Sequence, residues 1–331
     1  MKGRRERGAP RVSRGASERG GFGGHFEAPK ILVVGSANVD YTIALARLPR
    51  PGETVTGGTL LVNHGGKGAN QALAARRLQA EVRLIACVGD DAAGGAIRDA
   101  LAAEGIDVSG IASTSEAATG TALICVDAAG HNQIAVAPGA NRRLDVETVA
   151  RRRAHFEWAD VLVCQLETPL PTVRWALEEG RRRGALTMLN PAPVPDAAID
   201  FWPLVDYVTP NEGEAARLSG VTVSDQASAA QAAEVLRGYG VGAVAVTLGA
   251  DGATCVTARE SLHVPAFEVA VLDTTAAGDT FNAALAVSLA ERASLAGALR
   301  FANAAAALAC TRRGAQPSLP RRDEVTRLLG L

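Results

Sequence analysis

The chain has 331 residues, 47% of them hydrophobic, with 34 lysines and arginines against 35 aspartates and glutamates and a net charge of −1. That content sustains a large buried core and excludes global disorder, which needs low hydrophobicity and high net charge. The even balance argues against a nucleic-acid partner, and no run of about 18 apolar residues is present to span a membrane.

Residues 1–28 differ from the rest: seven glycines, and seven lysines and arginines against three glutamates, with almost nothing apolar to pack. They are expected to form a disordered Arg/Gly-rich tail. The five cysteines, Cys87, Cys125, Cys164, Cys255 and Cys310, contain no CxxC pair and sit among apolar neighbours. They are expected to be buried, reduced thiols of a cytoplasmic protein. Lysine occurs only at Lys2, Lys30 and Lys67, so Lys67 is the single lysine of the body beyond the first strand.

Taken along the chain, short apolar runs predict strands at 30–35, 82–88, 160–164, 185–189, 205–208 and 243–248. Runs of this kind are buried on both faces. Helical periodicity fills the gaps at 68–78, 94–104, 169–182, 211–219 and 226–237, and two helices close the chain at 278–291 and 295–311. Alternation of this kind predicts an α/β fold, a mostly parallel sheet with helices on both faces. Residues 41–63 and 119–137 break the rhythm with alternating short strands and turn signals, and are expected to pair into a small β-sheet lid.

Four segments carry candidate chemistry. Gly35-Ser36-Ala37-Asn38-Val39-Asp40 follows the first strand, and its amide and carboxylate could grip vicinal hydroxyls or simply make a turn. His64-Gly65-Gly66-Lys67-Gly68-Ala69-Asn70-Gln71-Ala72 lets the backbone approach a ligand at a helix N-terminus, with Lys67 and Asn70 projecting there. It is not a phosphate-binding loop of the G-x-x-x-x-G-K-[ST] type: Gly68 stands where Ser or Thr is required and position 61 is Leu. In Asp273-Thr274-Thr275-Ala276-Ala277-Gly278-Asp279-Thr280-Phe281, the N–H groups of Ala276, Ala277 and Gly278 could form an anion hole, and Asp279 could accept a hydroxyl proton or cap the helix. Asn211-Glu212-Gly213-Glu214 could hold a hydrated Mg²⁺ or serve as a helix cap. Glu167 also ends a strand.

In order and spacing these segments resemble the ribokinase family of sugar kinases from about residue 30 to 329. Pro51-Gly52-Glu53-Thr54, Asn190-Pro191-Ala192-Pro193, Thr209-Pro210-Asn211-Glu212 and Arg313-Gly314-Ala315-Gln316-Pro317-Ser318 extend the match. The resemblance implies a three-layer α/β/α kinase domain over 29–331 with a β lid from about 41–63 and 119–137. It implies ATP-dependent phosphorylation of the 5-hydroxyl of D-ribose. Asn38, Asp40, Gly65, Gly66, Lys67, Asn70 and Glu167 match sugar-contacting positions, Asp279 the catalytic base, and Ala276, Ala277 and Gly278 the anion hole. Asn211 and Glu214 match the residues that arrange phosphates and Mg²⁺, the latter through water, and Thr247, Gly249 and Asn303 match positions around ATP. The family's monovalent cation, typically K⁺, corresponds to Asp273, Thr275, Ala309, Gly314 and Ser318. The resemblance also implies a homodimer through the lid.

Two positions depart from the pattern. Asn303 stands where some relatives carry His against adenine, and Ala276 replaces a glycine found in many relatives. Related kinases acting on deoxyribose, another sugar or a nucleoside, and a sugar-binding regulator without catalysis, are the competing readings. A nicotinamide-dependent dehydrogenase is disfavoured, because G-x-G-x-x-G does not follow the first strand.

Overall fold

A computed structural model describes residues 27–331. All but the last two positions of the expected tail at 1–28 lie outside the described residues.

Strand β1 (Lys30–Val34) is buried along its apolar run. The chain then leaves the central sheet as β2 (Asn38–Ala44) and β3 (Thr59–Gly65), and α1 (Lys67–Arg77) returns it to β4 (Glu81–Ile85). The strand expected at 82–88 is two strands. The chain breaks at Ala86, whose carbonyl accepts from the Ala112 N–H at 2.9 Å. Strand β5 (Cys87–Gly89) pairs instead with β6 (Ala112–Thr114), beyond α2 (Ala92–Ala103). Next come β7 (Gly120–Val126) and β8 (Asn132–Ala137), then the short helices α3 (Val146–Ala150) and α4 (Ala154–Trp158). Strand and helix follow as β9 (Val161–Gln165), α5 (Leu170–Arg183), β10 (Leu186–Asn190), β11 (Tyr207–Val208), α6 (Glu212–Ser219), α7 (Gln226–Gly238) and β12 (Ala243–Thr247). The antiparallel hairpin β13 (Ala253–Val256) and β14 (Ser261–Val264) was not foreseen; α8 (Ala277–Ala290), α9 (Leu295–Ala309) and α10 (Arg322–Leu329) finish the chain.

Local signals account for the boundaries. Asp225 accepts from the Ser228 N–H at 2.8 Å to start α7, and α5 ends on Gly184 at φ 86°. Asp and Ser satisfy orphan N–H groups at helix starts, and glycine takes the left-handed turn at the end without a Cβ penalty.

The central sheet has the order β14-β13-β12-β11-β10-β9-β1-β4, parallel from β4 to β12 and antiparallel at the β13–β14 edge. Alternate residues of β1 enter different cores. Ile31 and Val33 pack in the cluster containing α1, α8 and α9, while Leu32 and Val34 pack in the cluster containing α5 and α7. Because side chains of one strand point to opposite faces, this division makes the molecule a three-layer α/β/α sandwich, as expected. The direction of winding reverses between β1 and β9. In open α/β sheets that crevice at the carboxyl ends is where ligands bind.

A second sheet, β3-β2-β7-β8, stands off the sandwich. It begins earlier than expected: Asn38 and Asp40 belong to β2 rather than to a loop before it. Its strands leave Ile43, Leu60, Leu61, Val62, Leu123, Ile134 and Val136 exposed. Cys87, Cys164 and Cys255 are buried as expected, while Cys125 and Cys310 are only half-buried, and all five are free thiols. No helix among the described residues is long and apolar enough to cross a membrane.

Candidate active site

The loops after β1 and β9 meet across the switch point. The Ser36 hydroxyl donates to Glu167, and the Lys67 N–H donates to Glu167 Oε2 at 3.0 Å. Glu167 therefore ties the end of β9 to the turn that opens α1. Gly66, at φ 87°, makes that turn; a Cβ there would stand 2.8 Å from Ala37 Cα and Asn38 N. Both the backbone conformation and the close approach require glycine.

Asn38 and Asp40 are two residues apart on β2 and so share a face. The Asp40 carboxylate lies directly over Gly65, where a Cβ would come within 2.0 Å of Oδ2. Burial, then the charges of Glu167 and Asp279, push the Asp40 carboxyl up to about 6. Asn38 Oδ1 accepts from Asn141 Nδ2 at 2.7 Å, and Asn141 Oδ1 accepts from the Ala37 N–H at 2.9 Å. Asn141 is buried and holds Asn38 in place. It escaped sequence reading because Gly139-Ala140-Asn141 looks like an ordinary turn.

Lys67 is half-buried among acids. Burial alone would lower its ammonium, but Asp279, Glu167 and Glu214 outweigh that and raise it, so it stays a cation. Glu214 closes a capping box with Asn211: Glu214 N–H donates to Asn211 Oδ1 at 2.8 Å and Asn211 N–H to Glu214 Oε2 at 3.0 Å. Burial raises the Glu214 carboxyl above its usual range, against the lowering effects of the Asn211 N–H and Lys67. Capping thus occupies one Glu214 oxygen while its charge still faces Lys67 and Asp279.

Asp279 lies in the first turn of α8 and is 6% exposed. Asn70 Nδ2 donates to Oδ2 and Gln71 Nε2 to Oδ1, each at 2.9 Å. Asn70 Oδ1 is buried with no partner among the described residues, an acceptor facing the same space. Ala276 precedes α8 in the left-handed region at φ 61°, and its carbonyl takes both the N–H and the hydroxyl of Thr280 at 2.9 and 2.8 Å. The expected trio of anion-hole donors is not uniform. The Ala277 N–H donates to the Thr274 carbonyl at 3.2 Å, whereas those of Ala276 and Gly278 have no acceptor among the described residues.

Beyond the α8 mouth lies a cavity of about 550 Å³ lined by Thr247, Gly249, Phe267, Val271, Gly278 and Asn303, among others. The Asn303 amide is already engaged: Nδ2 donates to the Val264 and Pro265 carbonyls at 2.8 and 3.1 Å, tying α9 to the loop after β14. Of the five candidate cation residues, Asp273 and Thr275 flank Thr274, and Ala309 precedes Cys310; Thr274 and Cys310 line this cavity. Asp273 Oδ1 accepts from the Thr275 N–H and hydroxyl at 2.9 and 2.6 Å, and Oδ2 from the Gly314 N–H at 2.8 Å. Burial works to raise the Asp273 carboxyl, but the Thr275 and Gly314 bonds hold it below its ordinary range. Ser318 turns its hydroxyl to the Ala315 carbonyl at 2.7 Å, and Ala309 ends α9. Among the described residues no cluster of three or more His, Cys, Asp or Glu side chains could grip a metal directly.

Comparison with known proteins adds the family. The pfkB family carbohydrate kinase model matches residues 28–322. The chain belongs to that family. It is 42% identical to the ribokinase of Haemophilus influenzae over 299 residues, covering 90% of this chain and 98% of that protein. It is 34% identical to the deoxyribokinase of Salmonella typhi, covering 91% and 99%. The structure of Arabidopsis thaliana ribokinase complexed with ribose and ATP superposes with a TM-score of 0.86 at 33% identity, covering 92% of this chain and all of that one. In this pfkB-family chain the crevice, the cavity and the second sheet surround one buried aspartate. Gln71, Gln165, Asn190, Ser36 and Asn141 complete the hydrogen bonding of the site, and none was given a role from sequence; Gln71, Ser36 and Asn190 lay within quoted segments.

Asp40 makes a pH prediction. Its carboxyl is raised from 3.8 to about 6 in the fold, so folding favours its protonated form. The native state binds the extra proton between those values, and stability falls as pH rises through that window. Asp40→Asn should therefore stabilise the protein at pH 7.5, by at most about 3 kcal/mol for a two-unit shift, and should give no gain below about pH 4. Urea unfolding at both pH values checks this; an equal gain at both removes the buried-carboxylate explanation.

Proposed function

We propose that this chain transfers the γ-phosphoryl group of ATP to the 5-hydroxyl of D-ribose, giving D-ribose 5-phosphate. One observation carries the reading: a buried carboxylate, Asp279, is clamped by two amides between a crevice of polar groups and a helix mouth with unused N–H groups. The 42% identity to a ribokinase and the likeness to a ribokinase holding ribose and ATP support ribose as the sugar.

The roles follow from what each atom has left to give. Asn38, Asp40, Lys67, Asn70 and Glu167, with the backbone at Gly65 and Gly66, take the sugar hydroxyls. Asn70 Oδ1 is a buried acceptor with no partner among the described residues. A site built for hydroxyls rejects a sugar lacking one, because its own buried groups are left unpaired. Asp279 takes the 5-hydroxyl proton as the oxygen attacks. The free N–H groups of Ala276 and Gly278, with Ala277 beside them, stabilise the charge spreading over the moving group. Preorganised donors of this kind are worth roughly 3–4 kcal/mol each. Thr247, Gly249 and Asn303 line the cavity assigned to the nucleotide, and Asn303 acts there by shaping a wall.

Glu214 and Asn211 fit a hydrated Mg²⁺: hard oxygen and amide groups, no direct cage, and a carboxylate whose burial favours a cation nearby. Bound with ATP, Mg²⁺ supplies neutralisation of phosphate charge. A monovalent cation such as K⁺ fits Asp273, Thr275, Ala309, Gly314 and Ser318, because the ionised Asp273 draws the 273–275 and 314 segments together. It would steady the backbone that leads into the α8 mouth.

The β3-β2-β7-β8 sheet acts as the lid of the 29–331 domain, since it carries Asn38, Asp40 and Gly65 on one side. Seven exposed large apolar side chains on it support a homodimer formed through the lid. Free thiols and a near-neutral charge fit a cytoplasmic enzyme with neither nucleic-acid nor membrane partners.

Four outcomes test these assignments. Asp279→Asn should lower kcat by several orders of magnitude in an ATP-consumption assay with ribose, with little change in ribose affinity; near-normal turnover removes Asp279 as the base. A sugar panel run beside it should place ribose ahead of 2-deoxyribose, fructose and nucleosides. Replacing K⁺ with Na⁺ or a bulky organic cation should slow the reaction, and an indifferent rate would mean that no cation site forms at Asp273. Leu60→Asp combined with Leu123→Asp should convert a dimer to a monomer in sedimentation velocity; a monomeric parent chain overturns the dimer.

A further inference from the structure

Asp279 can only accept hydrogen bonds when ionised, and this fixes the orientation of every amide behind it. Gln71 must present its nitrogen to Asp279 Oδ1, at 2.9 Å. The second hydrogen of that nitrogen goes to Asn190 Oδ1 at 3.1 Å, and Asn190 is itself oriented by donating to the Thr209 carbonyl at 3.3 Å. Gln71 Oε1 is then left facing Gln165, which donates to it through Nε2 at 2.6 Å. Gln165 Oε1, at the far end, has no partner among the described residues. Both glutamines are fully buried.

Packing leaves Gln165 no other place. A Cβ on Gly35 would stand 2.0 Å from Gln165 Oε1 and 3.1 Å from its Cδ, so the bare glycine after β1 makes room for this amide. A buried acceptor without a donor is costly. Reversing the Gln165 amide would set two oxygens face to face at Gln71 and free Gln71 to turn its own oxygen toward the carboxylate. The unpaired atom thus sits at the end of the chain farthest from Asp279.

We propose that Gln71 and Gln165 are positioning residues for phosphoryl transfer: a two-amide chain, entered at Gly35, that fixes the plane of the Asp279 carboxylate and holds its proton-accepting lone pair toward the sugar. The proposal rests on the reading of Asp279 as the base. Neither glutamine is a ligand group of the crevice: the polar atoms of Gln71 are all consumed within the chain, and Gln165 is fully buried with its Oε1 against Gly35. The charged groups near Asp279 are Lys67 from α1, Glu214 from α6, Glu167 from the loop after β9 and Asp40 from β2.

Gln71→Glu exchanges the donor for an acid of nearly the same size. We expect kcat at pH 7 to fall about a hundredfold, the cost of a misplaced reacting group, with ribose KM within about threefold of the parent. The acid limb of the kcat profile should move to higher pH, because adjoining carboxyls share a proton. Gln165→Glu does not touch Asp279, yet it removes the donor that orients Gln71. It should lower kcat about tenfold, and the double variant should be no slower than Gln71→Glu alone. Gln71→Met should lose kcat with the parent's acid limb.

A Gln71→Glu enzyme with kcat within twofold of the parent and an unmoved acid limb overturns the proposal. So does a fall in kcat matched by a rise in KM with an unmoved limb, which marks a packing role. If Gln71→Glu fails to fold by circular dichroism, full kcat in both Gln71→Met and Gln165→Glu overturns it, and a fall with unchanged KM supports it. Asp279→Asn, measured alongside, separates the two readings: near-normal turnover there sinks the base assignment, whereas its loss with unaffected glutamine variants sinks only the positioning chain.

Discussion

Two consecutive side chains of α1, Asn70 and Gln71, bond the two oxygens of one carboxylate on α8. Short amides can reach across only if the helix axes lie close together. The sequence provides for that: Ala69, Ala72, Ala74 and Ala75 on α1, and Ala283, Ala284 and Ala286 on α8, are all buried. Small side chains at a helix contact let backbones approach, and the interaxial distance follows their size. The alanine content of these helices therefore sets the geometry of the site as well as filling the core. A bulkier residue at this contact would act on the reaction by pulling the clamp off Asp279.

The surroundings of that carboxylate are electrostatically expensive. Glu167, Glu214 and Asp279 converge on a single lysine, and Asp40 stands close to two of them, Glu167 and Asp279. Burial raises both Asp40 and Glu214, and the neighbouring charges of Glu167 and Asp279 add to it at Asp40, because like charges in a partly dry crevice disfavour one another. Perturbed carboxyls of this kind cluster where a fold serves chemistry rather than stability. Lys67 and the positive ends of α1 and α8 offset part of the repulsion. A polyhydroxylated ligand suits the remainder, because hydroxyls can donate to each carboxylate without adding charge.

Much of this was legible in the sequence. Uninterrupted apolar runs mark buried parallel strands, and the glycine-lysine turn stands out because the body has one lysine beyond β1. What was not legible depends on long-range pairing. The run 82–88 is uniformly apolar, and only the pairing of β5 with β6 divides it at Ala86. Asn38 and Asp40 look like loop residues until β3 and β7 are laid beside them. Gln165 reads as the polar end of an apolar strand. Its partner Gln71 is 94 positions away, and no periodicity links them.

The α8 mouth shows how one residue's strain is held by the rest. Ala276 at φ 61° costs about 1–2 kcal/mol relative to an ordinary conformation. Two bonds from Thr280 secure it from the helix side. On the other side Asp273 fixes Thr275, the residue immediately before it, and reaches across to Gly314. A glycine would adopt the same turn without strain, but it would also leave the loop freer before a ligand arrives. Alanine narrows the alternatives, and the bonds from Thr280 and Asp273 bear the cost. The left-handed turn leaves the Ala276 and Gly278 N–H groups without acceptors among the described residues, at the positive end of a helix, the arrangement that binds anions. The proposed proton acceptor and the candidate phosphate donors thus belong to one turn of chain. Asn70 and Gln71 anchor that turn on the crevice side, and Asp273 and Thr280 secure it from its other flank.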